Sequence, residues 1–165
     1  MIILGIDPGF GRVGYGAIRM ENSKYQHMGN GTIETSCKDK FEKRLEEIYD
    51  CVTQMITKCT PDAIAIEKLY FQNNQKTAID VAQARGVILL AARKLNVPIF
   101  EYTPLEVKTV ITGYGRAQKR QIIYMIKKLL NLEEMPKYDD AADALAIALC
   151  HAQTARRRNL LSRFN

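Results

Sequence analysis

Four acidic residues stand where an apolar segment ends or begins. Asp7 closes the run Ile2-Ile3-Leu4-Gly5-Ile6 ahead of Pro8-Gly9, Glu67 follows Ala63-Ile64-Ala65-Ile66, and Asp140 and Asp143 precede a stretch that is wholly apolar from Ala144 to Cys150. Taken singly, each has a plain structural use. Asp before Pro-Gly starts a turn, a Glu at a strand end faces solvent, and aspartates at a helix start act as caps and dipole partners worth roughly 0.5 to 1 kcal/mol each. Taken together they point to chemistry. An ionised carboxylate against an apolar segment is costly unless paired or metal-bound, and four gathered in one place repel unless cations are present. Hard divalent ions with oxygen ligands, Mg2+ first and Mn2+ next, answer that need. Two such ions about 3.5 to 4 Å apart activate a water and stabilise the leaving oxygen of an in-line phosphodiester displacement. With two histidines and no C-x-x-C pair among four cysteines, a zinc site or a side-chain nucleophile has little to stand on.

The elements that must position these groups follow from periodicity and punctuation. Ile2 to Asp7, Val13 to Met20 and Gly29 to Thr35 read as three sequential strands separated by glycine-containing turns. Phe41 to Cys59 carries apolar residues at helical spacing, Ala63 to Ile66 is a short buried strand, Thr77 to Leu95 a second helix, and Val97 to Tyr102 a fifth strand. Thr103-Pro104-Leu105-Glu106 combines an N-cap, a proline at the first helical position and a capping-box Glu, so a helix starts there. Two more helices span Ala117 to Leu130 and Asp140 to Ala155. Strands joined by hairpins pair antiparallel, and strands reached through helices add in parallel. The expected fold is α/β, a mixed five-stranded sheet of three antiparallel and then two parallel strands flanked by helices. Functional groups in such a sheet collect at the carboxyl ends of the strands, and Asp140 and Asp143, three apart, share one helix face.

At 165 residues the chain has room for one domain, expected over 1–155 and followed by an Arg-rich tail at 156–165. The net charge of +6 is unevenly placed: Val107 to Leu132 holds six basic residues and no acid, Thr154 to Asn165 four arginines and no acid, and the remainder is net acidic. A basic rim around carboxylates suits a protein that grips a polyanion. Cys51, Cys59 and Cys150 lie among apolar residues and read as small buried hydrophobes. No basic leader and no apolar stretch of membrane-spanning length occur, so a cytoplasmic protein without a membrane partner is expected.

Ile3-Leu4-Gly5-Ile6-Asp7-Pro8-Gly9, Ala65-Ile66-Glu67, Gln83-Ala84-Arg85-Gly86-Val87 and Asp140-Ala141-Ala142-Asp143-Ala144-Leu145-Ala146-Ile147-Ala148 resemble the RuvC family of bacterial Holliday junction resolvases, from about Ile2 to His151. The resemblance implies a ribonuclease H-like fold, a homodimer, and Mg2+-dependent paired nicks placed symmetrically across a four-way DNA junction in recombination and repair. It also implies a branch-migration helicase complex as partner. On the family pattern Asp7, Glu67, Asp140 and Asp143 are the catalytic metal ligands, and Lys108 and Lys119 fall where DNA-contacting lysines stand. Tyr70 takes the place of an aromatic residue, usually Phe, that stacks on bases at the crossover, and its hydroxyl departs from that pattern. Its neighbour Phe71 is the other candidate for stacking. Arg116, in the loop Thr112 to Arg116, is expected to reach DNA, and the helix Thr77 to Leu95 is the expected dimer face.

Other classes stay open at this point. The Gly5-Ile6-Asp7-Pro8-Gly9 hairpin also resembles the first phosphate loop of actin-like nucleotide binders, which need a second lobe that this length does not hold. A ribonuclease H-like nuclease acting on RNA would use the same metals, and a junction-binding architectural protein would leave the carboxylates inert.

Overall fold

The computed structural model describes residues 1–69 and 75–162. In chain order these are β1 (Ile2–Asp7), β2 (Arg12–Glu21), β3 (Lys24–Glu34), α1 (Phe41–Cys59), β4 (Ala63–Glu67), α2 (Gln75–Lys94), β5 (Ile99–Tyr102), α3 (Pro104–Thr112), α4 (Lys119–Leu130) and α5 (Asp139–Leu161). The five strands form one sheet in the order β3-β2-β1-β4-β5. β1 pairs antiparallel with β2, and β2 with β3, while β4 lies parallel to both β1 and β5. This is the expected mixed sheet.

Several strand limits differ from expectation, with β4 reaching Glu67 and β5 starting at Ile99 rather than Val97. β2 and β3 run up to a two-residue turn at Asn22 and Ser23, both left-handed with φ of 47° and 66°, the mirror-image turn whose twist matches a hairpin. Gly29, read as the start of β3, instead sits in its interior, where the register with β2 shifts between Ala17 and Ile18. A glycine inside a strand often marks such a bulge. α5 continues past Ala155 to Leu161, since neither glycine nor proline interrupts the arginines and Arg is a good helix former.

The sheet separates two cores. Leu4, Ile6, Ile64 and Ile66 face Ile48, Val52 and Ile56 of α1 and Ala84, Ile88 and Ala91 of α2. On the opposite face, Ile3, Ile18 and Ala65 pack with Val107 and Ile111 of α3, Ile122 and Ile126 of α4, and the long apolar run of α5. α5 is buried from Ala144 to Ala152, as a helix apolar on all sides must be. Cys150 is buried, whereas Cys51 and Cys59 are only half-buried at the flank of the inward side of α1, and Cys37 is exposed. The expectation of three buried thiols therefore holds for Cys150 alone. Thr103 and Glu106 form the expected capping box, Glu106 N donating to Thr103 Oγ1 at 3.1 Å and Thr103 N to Glu106 Oε2 at 2.8 Å.

Candidate active site

The two-residue period of a strand decides where the first two carboxylates go. Ile3, on the α5 side of the sheet, fixes Gly5 and Asp7 on that side, and Ala65 does the same for Glu67. Ile6 pairs with Ile66 across the parallel ladder, so Asp7 and Glu67 follow as neighbours at the carboxyl ends of adjacent strands.

Glycines let α5 come down onto them. Asp7 lies opposite Gly14 in β2, and a Cβ on Gly14 would run into the backbone carbonyl of Asp140; one on Gly5 would strike the carbonyl of Ala144 and the backbone of Ala148. The first turns of α5 are thus pressed against the two strands that flank and carry Asp7. Bare backbone there, facing small residues of α5, brings Asp140 and Asp143 to the Asp7–Glu67 edge.

The electrostatics record the crowding. Burial is the main cause that lifts the Asp7 carboxyl to about 8, and the charges of Glu67, Asp143 and Asp140 add to it while Lys119 opposes. Among the described residues Asp7 has no hydrogen-bond donor of its own. That is unlike a turn-starting aspartate, whose carboxylate accepts a nearby backbone N–H. Glu67 is raised by burial and then by Asp143, with Lys108 pulling the other way. Asp143 is raised by burial, against the charge and hydrogen bond of Lys119.

Two of the four acids are held by the protein's own cations. Lys119 Nζ stands 3.0 Å from Asp139 Oδ2 and 3.3 Å from Asp143 Oδ2. Burial works against this ammonium, but the bond to Asp139 and the charge of Asp143 outweigh it and keep its pKa raised. Arg12 places Nη1 3.3 Å from Asp140 Oδ2 and Nε 3.2 Å from Glu34 Oε1, with its guanidinium 4.6 Å from the Tyr138 ring centre. Accordingly, among the described residues no three acidic, histidine or cysteine side chains converge tightly enough to enclose an ion. The donor set itself is right for a hard divalent cation: carboxylate oxygens, no thiolate, and three acids raised by burial first and by one another's charge second. As placed, Asp140 faces Arg12 and Asp143 faces Lys119.

A cleft of about 230 Å³ beside these groups is lined by Glu67, Lys108, Lys119, Ile122 and Asp143, among others. Lys108 and Lys119 therefore flank the carboxylates, one from α3 and one from α4. Arg116 is exposed in the connection between those helices. Tyr70 and Phe71 lie outside the described residues. Sequence reasoning missed Arg12, Asp139 and Tyr138. Asp139 was within reach as a neighbour of Asp140, but nothing local marks Arg12, whose partners are 22 and 128 residues away.

The family model described as crossover junction endodeoxyribonuclease RuvC matches residues 3–151. The RuvC of Pseudothermotoga lettingae is 48% identical over 165 residues, all of both chains, and that of Thermotoga petrophila is 51% identical over 160 residues, 97% of each. Among solved structures, Thermus thermophilus RuvC superposes with a TM-score of 0.90 at 34% identity, covering 95% of this chain and 96% of that one. The same values hold for its complex with a Holliday junction substrate. The yeast mitochondrial Holliday junction resolvase Ydc2, at 18% identity and a TM-score of 0.69 over 99% of this chain and 86% of that one, shares the fold.

Proposed function

The chain belongs to the RuvC family of crossover junction endodeoxyribonucleases, and from that premise we propose how its own residues resolve a four-way DNA junction. The protein is a divalent-metal-dependent Holliday junction resolvase with a ribonuclease H-like fold. The observation that carries the assignment of the site is the convergence of Asp7 and Glu67 at adjacent strand ends with Asp140 and Asp143 of α5 pressed onto them, beside Lys108 and Lys119.

Asp7, Glu67, Asp140 and Asp143 are the metal ligands in this reading. The metal is Mg2+, with Mn2+ able to substitute, and two ions bind per site. Held by these carboxylates, such ions would supply polarisation of the scissile phosphate and activation of the attacking water. Asp7, raised to about 8 by burial and by the neighbouring carboxylates, would release its proton to solvent on holding a cation. Lys119 and Arg12 neutralise Asp143 and Asp140 beforehand. When a strand enters, Lys119 exchanges Asp143 for a phosphate, and Lys108 and Arg116 hold flanking phosphates. Such contacts position the backbone without reading sequence. Tyr70 is the stacking residue in this reading, on the strength of the aromatic position it takes in the family resemblance.

We further propose a homodimer through α2. Ile79, Gly86 and Leu90 fall on one face of that helix. Ile79 is 63% and Leu90 53% exposed, and nothing lies near the position of a Cβ on Gly86. A two-fold dimer presents two equivalent sites to a substrate of near two-fold symmetry. A single nuclease domain over 1–155 with an Arg-rich extension, a branch-migration helicase complex as partner and a cytoplasmic location complete the reading. No described helix is long and apolar enough to cross a membrane.

The deciding experiment is cleavage of a synthetic mobile four-way junction with both nicks mapped, alongside linear duplex, RNA–DNA hybrid and RNA. Paired symmetric nicks on the junction, lost in chelator and restored by Mg2+, are expected. Equal rates on all substrates would defeat the junction assignment, and unchanged activity in chelator would defeat the metal reading.

A further inference from the structure

Arg85 is a nearly buried guanidinium that the site described so far does not use. It lies in Gln83-Ala84-Arg85-Gly86-Val87 on α2, next to the fully buried Ala84, and its side chain is only 15% exposed. Its Nε donates to the backbone carbonyl of Glu67 at 3.3 Å, and its Nη2 donates to the carboxylate of Glu101 on β5. Taking a guanidinium out of water is costly unless its donors are matched. Both partners here sit at the carboxyl end of the sheet.

The location matters because Glu67 is the last residue of β4. The ladder to β1 ends one residue earlier, at Ile6 and Ile66. Beyond it the backbone N–H of Lys68 bonds to the Tyr102 carbonyl at 2.8 Å, which secures the β5 side. The Glu67 carbonyl is held by Arg85. A strand terminus frays unless its peptide groups are fixed, and the direction of the Glu67 carboxylate depends on the backbone that Arg85 grips. Glu101 anchors the other arm of the same guanidinium, tying α2, β4 and β5 at one point.

We propose that Arg85 is a positioning residue: its fork between the Glu67 carbonyl and Glu101 sets the backbone from which Glu67 presents its carboxylate to the cation and the scissile strand. This rests on the reading of Glu67 as a metal ligand. The role calls for arginine rather than lysine, because a planar fork bonds two acceptors at once, whereas a single ammonium on a flexible stem does so poorly. Residues that orient metal ligands typically contribute 10- to 100-fold to metal affinity or activity when removed.

The test uses the full chain with Arg85→Gln, Arg85→Lys, Glu101→Gln and Glu67→Gln. Mn2+ binding without DNA is read by electron paramagnetic resonance, nicking on a synthetic four-way junction as a rate, junction affinity in chelator, and folding by thermal melting. Arg85→Gln is expected to weaken Mn2+ binding and slow nicking 10- to 100-fold, with excess Mn2+ recovering part of the rate and junction affinity staying within about twofold. Arg85→Lys and Glu101→Gln should fall between it and the wild type. Wild-type Mn2+ affinity and nicking in a folded Arg85→Gln would overturn the proposal. If that variant does not fold, wild-type values in Arg85→Lys and Glu101→Gln would overturn it equally. Glu67→Gln nicking at the wild-type rate would instead remove the reading beneath it, whatever the Arg85 variants do.

Discussion

Replacing Asp7 by Asn should make the metal-free protein more stable while destroying its activity. The Asp7 carboxyl is raised from 3.8 to about 8. Between those values the folded protein keeps the proton that the unfolded chain has released, so the folded state binds more protons and stability falls as pH rises, by up to about 1.4 kcal/mol per unit. At pH 7 the interval above 3.8 is about three units, an unfavourable contribution on the order of 4 kcal/mol in the absence of metal. Asn is nearly isosteric and cannot ionise, so the variant escapes it. Urea denaturation in chelator should show a gain that is near zero at pH 4, grows through pH 7 and levels off above pH 8. Divalent metal should narrow that gap and, at about 1,000 times its Kd, close it. A ligand adds about 2.7 kcal/mol at 100 times its Kd and about 4.1 kcal/mol at about 1,000 times to the protein that binds it, and the variant has lost a ligand. Nicking should vanish with junction binding kept. An Asn variant that is less stable than the wild type in chelator at pH 7, or a difference independent of pH, would refute this reasoning and return Asp7 to a turn-forming role.

Lys119→Ala should weaken junction binding and flatten the slope of log affinity against log salt by about 0.9, one phosphate contact's share; an unchanged slope in a salt titration would remove Lys119 from the DNA surface. Gly14→Ala drives a Cβ into the Asp140 carbonyl, so it should lower stability by about 1 to 3 kcal/mol and reduce nicking at least tenfold; a wild-type melting curve and rate would show that α5 can shift at no cost. Leu90→Glu places a charge on the exposed α2 stripe and should yield a monomer in analytical ultracentrifugation, with paired nicking lost; an active dimer would exclude this face.

The order of elements and the four carboxylates were legible from the chain because each rests on a local signal. Alternating apolar residues mark β1 and β4, the Thr103 to Glu106 capping box marks α3, and the unbroken apolar run after Asp143 marks a buried helix. From there the topology follows, since hairpins give antiparallel pairs and helical crossovers parallel ones. What the chain did not reveal depends on surfaces meeting across long separations. Gly14 looks like a hairpin residue until α5 is laid on it and its missing Cβ becomes the space for the Asp140 backbone. Gly29 reads as a strand start, and only pairing with β2 exposes the bulge. Arg12 on Asp140, Lys119 on Asp143 and Arg85 on the Glu67 carbonyl carry no spacing signal at all, because each joins elements whose distance along the chain is unrelated to their distance in space. The sequence by itself determined which acidic groups sit at element ends and that they need a cation. Only the tertiary structure decided how strongly, since the rise of Asp7 to about 8 comes from burial under α5 and from three charges delivered by two other elements.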